Sequence, residues 1–263
     1  MTKKRVSGTR EWASHSENCL VGCPHDCKYC YAKANAVDRF KTVLSDDWTQ
    51  PKVAGKKFAK KFGKKKGAIM FPTAHDIVPE HINACILYMR NMLTPGNNLL
   101  VVSKPHLECI ELICEELEEF RSQILFRFTI GAMDNEVLSF WEPGAPIFEE
   151  RLESLVHAHC EGWSTSISCE PMLDSPNVVD LFHRLEPFVT DSIWIGKLNH
   201  VTRRVKVESD RDRAMVDRIV AGQTDERIRE IYNELKDEPK VKWKDSFKEV
   251  LGLETPDEAG LDV

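Results

Sequence analysis

The chain predicts an α/β fold, a partial six-stranded (β/α) barrel of the TIM type with parallel strands and a C-terminal helical extension. Two observations carry this reading. Short strands, apolar nearly throughout, alternate five times with helical patterns, as buried parallel sheets do. Polar residues follow every strand, and a barrel brings such strand ends to one mouth whereas an open doubly wound sheet spreads them along an edge.

The elements follow in order. GAIMF (67–71) is a strand bounded by Gly and Pro, and 78–93 is a helix stopped by Thr94-Pro95-Gly96. NLLVVS (98–103) is a strand, 105–120 a helix with Pro105 in its first turn, and QILFRFTI (123–130) a strand. A Gly- and Pro-rich loop (131–146) leads to a helix over 147–162, closed by Gly162. Strands at 163–170 and 192–198 flank a helix at 177–188. A weak pattern around Arg10–Cys19 supplies the sixth strand. Residues 1–207 then form the barrel, and 208–263, with three amphipathic pieces (209–220, 224–238 and 243–253), a helical extension packed on it. No Gly-rich dinucleotide or P-loop fingerprint follows any strand.

With 42% hydrophobic and 30% charged residues in 263, the composition is that of an ordinary globular protein. No apolar run approaches the roughly 18–20 residues of a membrane helix, and the basic start MTKKRVSGTREW has no apolar stretch behind it. A cytoplasmic location without membrane contact is expected. The net charge of −6 hides an asymmetry, because residues 1–66 carry 16 Lys/Arg against 6 Asp/Glu. Eight of those lysines lie in 51–66, and Lys56–Lys66 is a candidate nucleic-acid contact as well as a solvated face. The acidic remainder argues against a chain-wide nucleic-acid footprint.

Nine cysteines, an odd number, without a secretion signal argue against a disulfide framework. Cys85, Cys109, Cys114, Cys160 and Cys169 are scattered in apolar segments and read as small buried hydrophobes. Cys23-Pro-His-Asp-Cys27-Lys-Tyr-Cys30 is different, since three soft thiolates in one tight loop suit an iron–sulfur cluster, zinc or copper(I). Cys19 and His25 are nearby candidates for a fourth ligand. With three ligands only, one iron of a cluster keeps an open position.

This loop, with Tyr29 just before its last cysteine, resembles that of the radical S-adenosylmethionine superfamily. FPTAHDI (71–77), VVSKP (101–105), RFTIG (127–131), SISCEPMLD (166–174) and Gly196-Lys197 extend the likeness toward the spore photoproduct lyase branch and uncharacterised, often phage-associated relatives. The resemblance implies a [4Fe–4S] cluster on Cys23, Cys27 and Cys30 that reductively cleaves S-adenosylmethionine to a 5′-deoxyadenosyl radical, which takes hydrogen from an unidentified substrate. It implies reduced ferredoxin or flavodoxin as electron donor. It places Thr73, His75 and Asp76 by the amino group of S-adenosylmethionine, Lys104 by its carboxylate and Thr129 by its ribose. Tyr29 and Glu170 join the cofactor site, and Glu170 and Lys197 are the candidate catalytic residues. FPTAHDI lacks the cysteine that the lyase branch uses to return hydrogen to its product, which sets this chain apart from photoproduct repair. A nucleic-acid-acting member of the superfamily and a non-catalytic zinc-stabilised binding module are the competing readings.

Overall fold

In the computed structural model, which describes residues 6–261, seven strands form one sheet in chain order. They are β1 (His15–Ser16), β2 (Ala68–Phe71), β3 (Asn98–Ser103), β4 (Ile124–Thr129), β5 (Ser164–Cys169), β6 (Ile193–Ile195) and β7 (Val241–Trp243). Every adjacent pair is parallel. Parallel neighbours need long crossovers, and helices supply most of them: α1 (Ile82–Leu93), α2 (Leu107–Glu116), α3 (Asn135–Trp141), α4 (Phe148–Cys160), α5 (Val178–Leu185), α6 (Asp210–Gly222) and α7 (Asp225–Leu235). α8 (Asp245–Leu251) follows the last strand. Residues 1–5 of the basic start lie outside the described residues. Among the described residues no helix is long and apolar enough to cross a membrane.

Side-chain alternation divides the strands between two cores. Phe71, Val101, Phe126, Phe128 and Ile167 pack outward with Met89, Ile110, Ile113 and Leu155 of the helices. Met70 and Leu100 turn inward, where Trp12, Ala68, Val102 and Leu125 join them. Trp12 also meets Trp194 of β6 edge-on at 5.8 Å, and the Arg127 guanidinium lies 4.8 Å from one indole and 5.3 Å from the other. One indole that touches strands from β2 to β6 requires a sheet curled into a partial barrel.

The barrel stays open between β7 and β1, and the chain termini stitch that seam. Lys244, fully buried, reaches Glu11 at 2.8 Å, donates to the carbonyl of Gly8 at 2.8 Å and lies 4.0 Å from the Trp12 ring. The N–H of Gly260 donates to the Arg10 carbonyl at 2.8 Å.

Four expectations change. The sheet has seven strands rather than six, because three-residue β7 precedes α8 inside a segment whose amphipathic pattern reads as helix throughout. The region 131–146 is not all loop: Asp134 caps α3 by accepting the Glu136 N–H at 2.8 Å. The weak strand at Arg10–Cys19 shrinks to His15–Ser16, since Thr9–Trp12 forms a helical turn. Cys160 is exposed, unlike the other four scattered cysteines.

Replacing Lys244 with Met strands Glu11 in the interior, and breaking a buried pair in this way costs about 3–5 kcal/mol. Urea unfolding should show that loss for Lys244→Met and recover much of it in Lys244→Met/Glu11→Leu. Equal losses in both would contradict this role of the pair.

Candidate metal centre

The backbone of three segments moulds the cysteine loop. Gly22 has φ 99°, and a Cβ there would sit 2.6 Å from the Trp48 carbonyl. The Cys23 N–H donates to that carbonyl at 2.8 Å and the Lys28 N–H to the carbonyl of Trp141 at 2.9 Å. Gly144 donates its N–H to His25 at 3.0 Å and comes so close that a Cβ would stand 2.2 Å from the Pro24 oxygen. The end of α3 and the residues just after it, hidden from sequence patterning, therefore form one wall of the site.

Cys23 and Cys27 are buried and Cys30 half-buried. Burial pushes the Cys23 thiol up to about 12 and raises Cys27 and Cys30 as well, and the Cys30 sulfur adds repulsion to the first two. Three crowded thiols resist joint ionisation unless a cation compensates them, and a bound metal group does so most completely.

Neither candidate fourth ligand turns toward them. Cys19 points into the helix-side core, where its sulfur lies 3.7 Å from that of Cys85. His25, fully buried, places Nδ1 3.0 Å from Asp76 and Nε2 2.9 Å from His106, which in turn lies 3.4 Å from Glu150. Among the described residues no three His, Cys, Asp or Glu side chains surround a single ion position. A zinc site needs its ligands round one ion, whereas a four-iron cube takes each thiolate on a different iron. Three thiols in one loop are the donor set such a cube would take.

Asp76 organises what lies beneath the loop. Oδ1 accepts the Ser103 hydroxyl and the N–H groups of Lys104 at 3.0 Å and Ile77 at 3.2 Å, while Oδ2 faces His25 and, at 3.7 Å, the Lys104 ammonium. Burial would raise its pKa, yet His25, Lys104 and Ser103 outweigh burial and hold the carboxyl well below its ordinary value. Alongside, Tyr29 donates its hydroxyl to Glu142, which pairs with Arg151 at 2.6 Å, all three groups deep under the loop.

The other predicted residues stand at strand ends. Thr73 accepts from the Asn18 amide at 2.8 Å, and Asn18 takes the N–H groups of Thr73 and Ala74 at 2.8 and 2.7 Å. Both ring nitrogens of His75 are engaged, Nε2 accepting the Cys19 N–H at 3.1 Å and Nδ1 donating to the Asp76 carbonyl at 2.9 Å. Thr129 is buried, and its carbonyl accepts from Arg151 at 3.2 Å. Glu170 lies 3.4 Å from Lys244, and Gly196 permits their approach, since a Cβ there would be 2.8 Å from Lys244 and 3.1 Å from Glu170. Burial raises the Glu170 carboxyl although Lys244 opposes it. Lys197 is half-buried at the end of β6, its N–H bound to Ser246 at 3.0 Å. Arg204, half-buried, belongs to the electrostatic surroundings of Cys30, Tyr31 and Glu170. Asn18, His106, Glu142, Arg151, Arg204 and Lys244 carry no motif. The polar residues after β3 were the one signal that could have drawn attention to His106.

No family model matches the chain. A curated relative, the uncharacterised protein ORF301 of Acidianus two-tailed virus, is 26% identical over 192 residues, 68% of this chain and 63% of that protein. The chain thus matches less than two thirds of that relative's length. Among solved structures, spore photoproduct lyase complexed with dinucleoside spore photoproduct shares the fold with TM-score 0.56 and 14% identity, over 92% of this chain and 79% of the lyase. SuiB of Streptococcus suis bound to S-adenosylmethionine aligns with TM-score 0.51 and 12% identity, over 94% of this chain and 54% of SuiB. Both are radical S-adenosylmethionine enzymes, so the expected likeness extends to the fold.

Because the carboxyl of Asp76 is depressed below its ordinary 3.8, it contributes stability above that pH and loses it as pH falls toward the folded value. Asp76→Asn should be less stable at pH 7 and show a shallower fall in unfolding free energy below about pH 4. A variant that keeps the wild-type acid slope would contradict this role.

Proposed function

We propose that the chain is a radical S-adenosylmethionine enzyme that holds a [4Fe–4S] cluster on Cys23, Cys27 and Cys30. The carrying observation is the donor set: three thiols in one moulded loop at the barrel mouth, with Cys19 and His25 both committed elsewhere. When bound, the cluster supplies the electron that cleaves S-adenosylmethionine, and a reduced ferredoxin or flavodoxin is the donor in this reading.

The protein's own groups bind, orient and shield. Thr73 and Thr129, at the ends of β2 and β4, take the amino group and ribose of S-adenosylmethionine. His75 and Asp76 support the loop instead, since their polar atoms are already bonded within the protein. Lys104, just past the end of β3, is the cation we assign to the carboxylate. Glu170 and Lys197 border the substrate space, and the aromatic and charged filling of Trp12, Arg127, Trp194 and Lys244 closes the barrel below it against water.

Anaerobically reconstituted protein should contain about four irons per chain. Given S-adenosylmethionine and dithionite, it should release 5′-deoxyadenosine, detected by chromatography. Cys23→Ala, Cys27→Ala and Cys30→Ala should each abolish the product. Product formation at wild-type rates in any of them, or one colourless zinc per chain in the parent, would overturn the reading.

A nucleic-acid substrate is the second reading, favoured by the lysine segment. Its lysines are exposed, and Phe58 and Phe62 anchor it on Tyr88 at ring separations of 5.2 and 5.5 Å. Lys57, Lys60 and Lys64 are tied to Asn18, Glu17 and Gly96, which leaves Lys56, Lys61, Lys65 and Lys66 outward. Oligonucleotide binding that weakens steeply as salt rises supports it, while salt-independent binding or none rules it out.

A further inference from the structure

We infer that the outer side of the cysteine loop is a docking face for the small acidic protein that delivers the electron. The face is built by the hairpin of Leu20–Val21 and Lys52–Val53, with Phe40, Leu44 and the lysines of 52–66. The inference rests on the cluster reading above and names the surface its electron donor would use.

A strip of chain wraps the outside of the loop. Leu20–Val21 pairs antiparallel with Lys52–Val53 and leads into Cys23, whose N–H is held by the Trp48 carbonyl. Trp48 is buried against Cys23 and Ala32, and Val37 and Val43 pack on the same small core. The apolar neighbours of these residues stay in solvent. Phe40 is 59% exposed, Leu44 74%, and Val21 and Val53 45% each. With Tyr31 they make up half of the large apolar side chains exposed among the described residues. Such side chains scattered singly need no explanation, whereas a concentration of them marks a contact surface.

Charge says what kind of partner covers it. Residues 21–66 carry 12 Lys/Arg against 4 Asp/Glu, a net of +8, in a chain whose total is −6. All eight lysines of 52–66 are exposed, and no carboxylate interrupts them. Their segment is fastened to the approach to the loop. Ala54 donates its N–H to the Cys19 carbonyl at 2.8 Å, and Lys57 its ammonium to the Asn18 carbonyl at 2.8 Å. An apolar centre bordered by cations is complementary to an acidic protein. A phosphate backbone would use the lysines but gain nothing from Val21, Leu44 and Val53.

The position suits the task. Val21 stands two residues before Cys23, and Tyr31 directly follows Cys30. Electron transfer weakens steeply with distance, and a carrier seated here lies against the loop that would hold the cluster. In the step the reduced carrier loses one electron and the cluster gains it, with no bond made or broken. Encounters of this kind bury little surface, below about 1,200 Å², and opposite charges speed them.

The double variants Phe40→Ser/Leu44→Ser and Lys41→Glu/Lys52→Glu are reconstituted anaerobically beside wild type. Calorimetry measures binding of an oxidised acidic flavodoxin and an oxidised acidic ferredoxin. Release of 5′-deoxyadenosine is then followed with each carrier reduced and, separately, with dithionite, which needs no docking. Both variants should bind the carrier about tenfold more weakly and raise its KM to match. Dithionite-driven release should stay within about twofold of wild type. Carrier affinity unchanged in the apolar variant overturns the inference, as does wild-type protein that binds neither carrier. If only the lysine variant weakens, and a single-stranded oligonucleotide weakens with it, the face belongs to nucleic acid and the inference is again overturned. Equal losses with carrier and with dithionite make the strip a support of the loop and overturn it too. A wild type that releases no product even with dithionite fails the cluster reading itself, and the docking inference falls with it.

Discussion

One carboxylate joins the parts of the site. Asp76, just past the end of β2, receives the first N–H after β3, the Ser103 hydroxyl and the Lys104 ammonium, and faces His25 from inside the cysteine loop. A buried charge of this kind is costly unless its partners surround it. Once they do, it ties the loop to two strands of the sheet. The His25–His106–Glu150 contacts continue that tie to α4.

Around this anchor the protein has left three thiols and little else. Cys19 is drawn to Cys85, the histidines are bonded to protein, and Gly22 and Gly144 let backbone press close enough to hold the loop's shape. The mouth is furnished from distant stretches of chain. Glu170 follows β5, Gly196 opens space beside it, and Lys244 arrives from beyond β7 to occupy that space. The C-terminal segment therefore builds the site as well as covering the barrel.

The barrel was legible because its strands are apolar on both faces and its helices are periodic over two or three turns. The cysteine loop was legible because ligand spacing is local. β7 was not, since three residues cannot display a period, and α3 lay among prolines and glycines that read as loop. The Glu142–Arg151 pair and Lys244 are distant in sequence from what they touch, and no local pattern announces a long-range ion pair. His75 and Asp76 were found by position, but their engagement with the protein's own backbone and side chains depends on coordinates that spacing cannot supply.

The proposed function turns on whether three protein sulfurs hold a cube of iron that is open at its fourth corner. The most direct test is electron–nuclear double resonance on the reduced, reconstituted protein with S-adenosylmethionine carrying nitrogen-15 in its amino group and oxygen-17 in its carboxylate. Hyperfine coupling of both nuclei to the cluster spin would place the ligand on the open iron, as the account requires. A reduced cluster whose spectrum is the same with and without the labelled compound would contradict it.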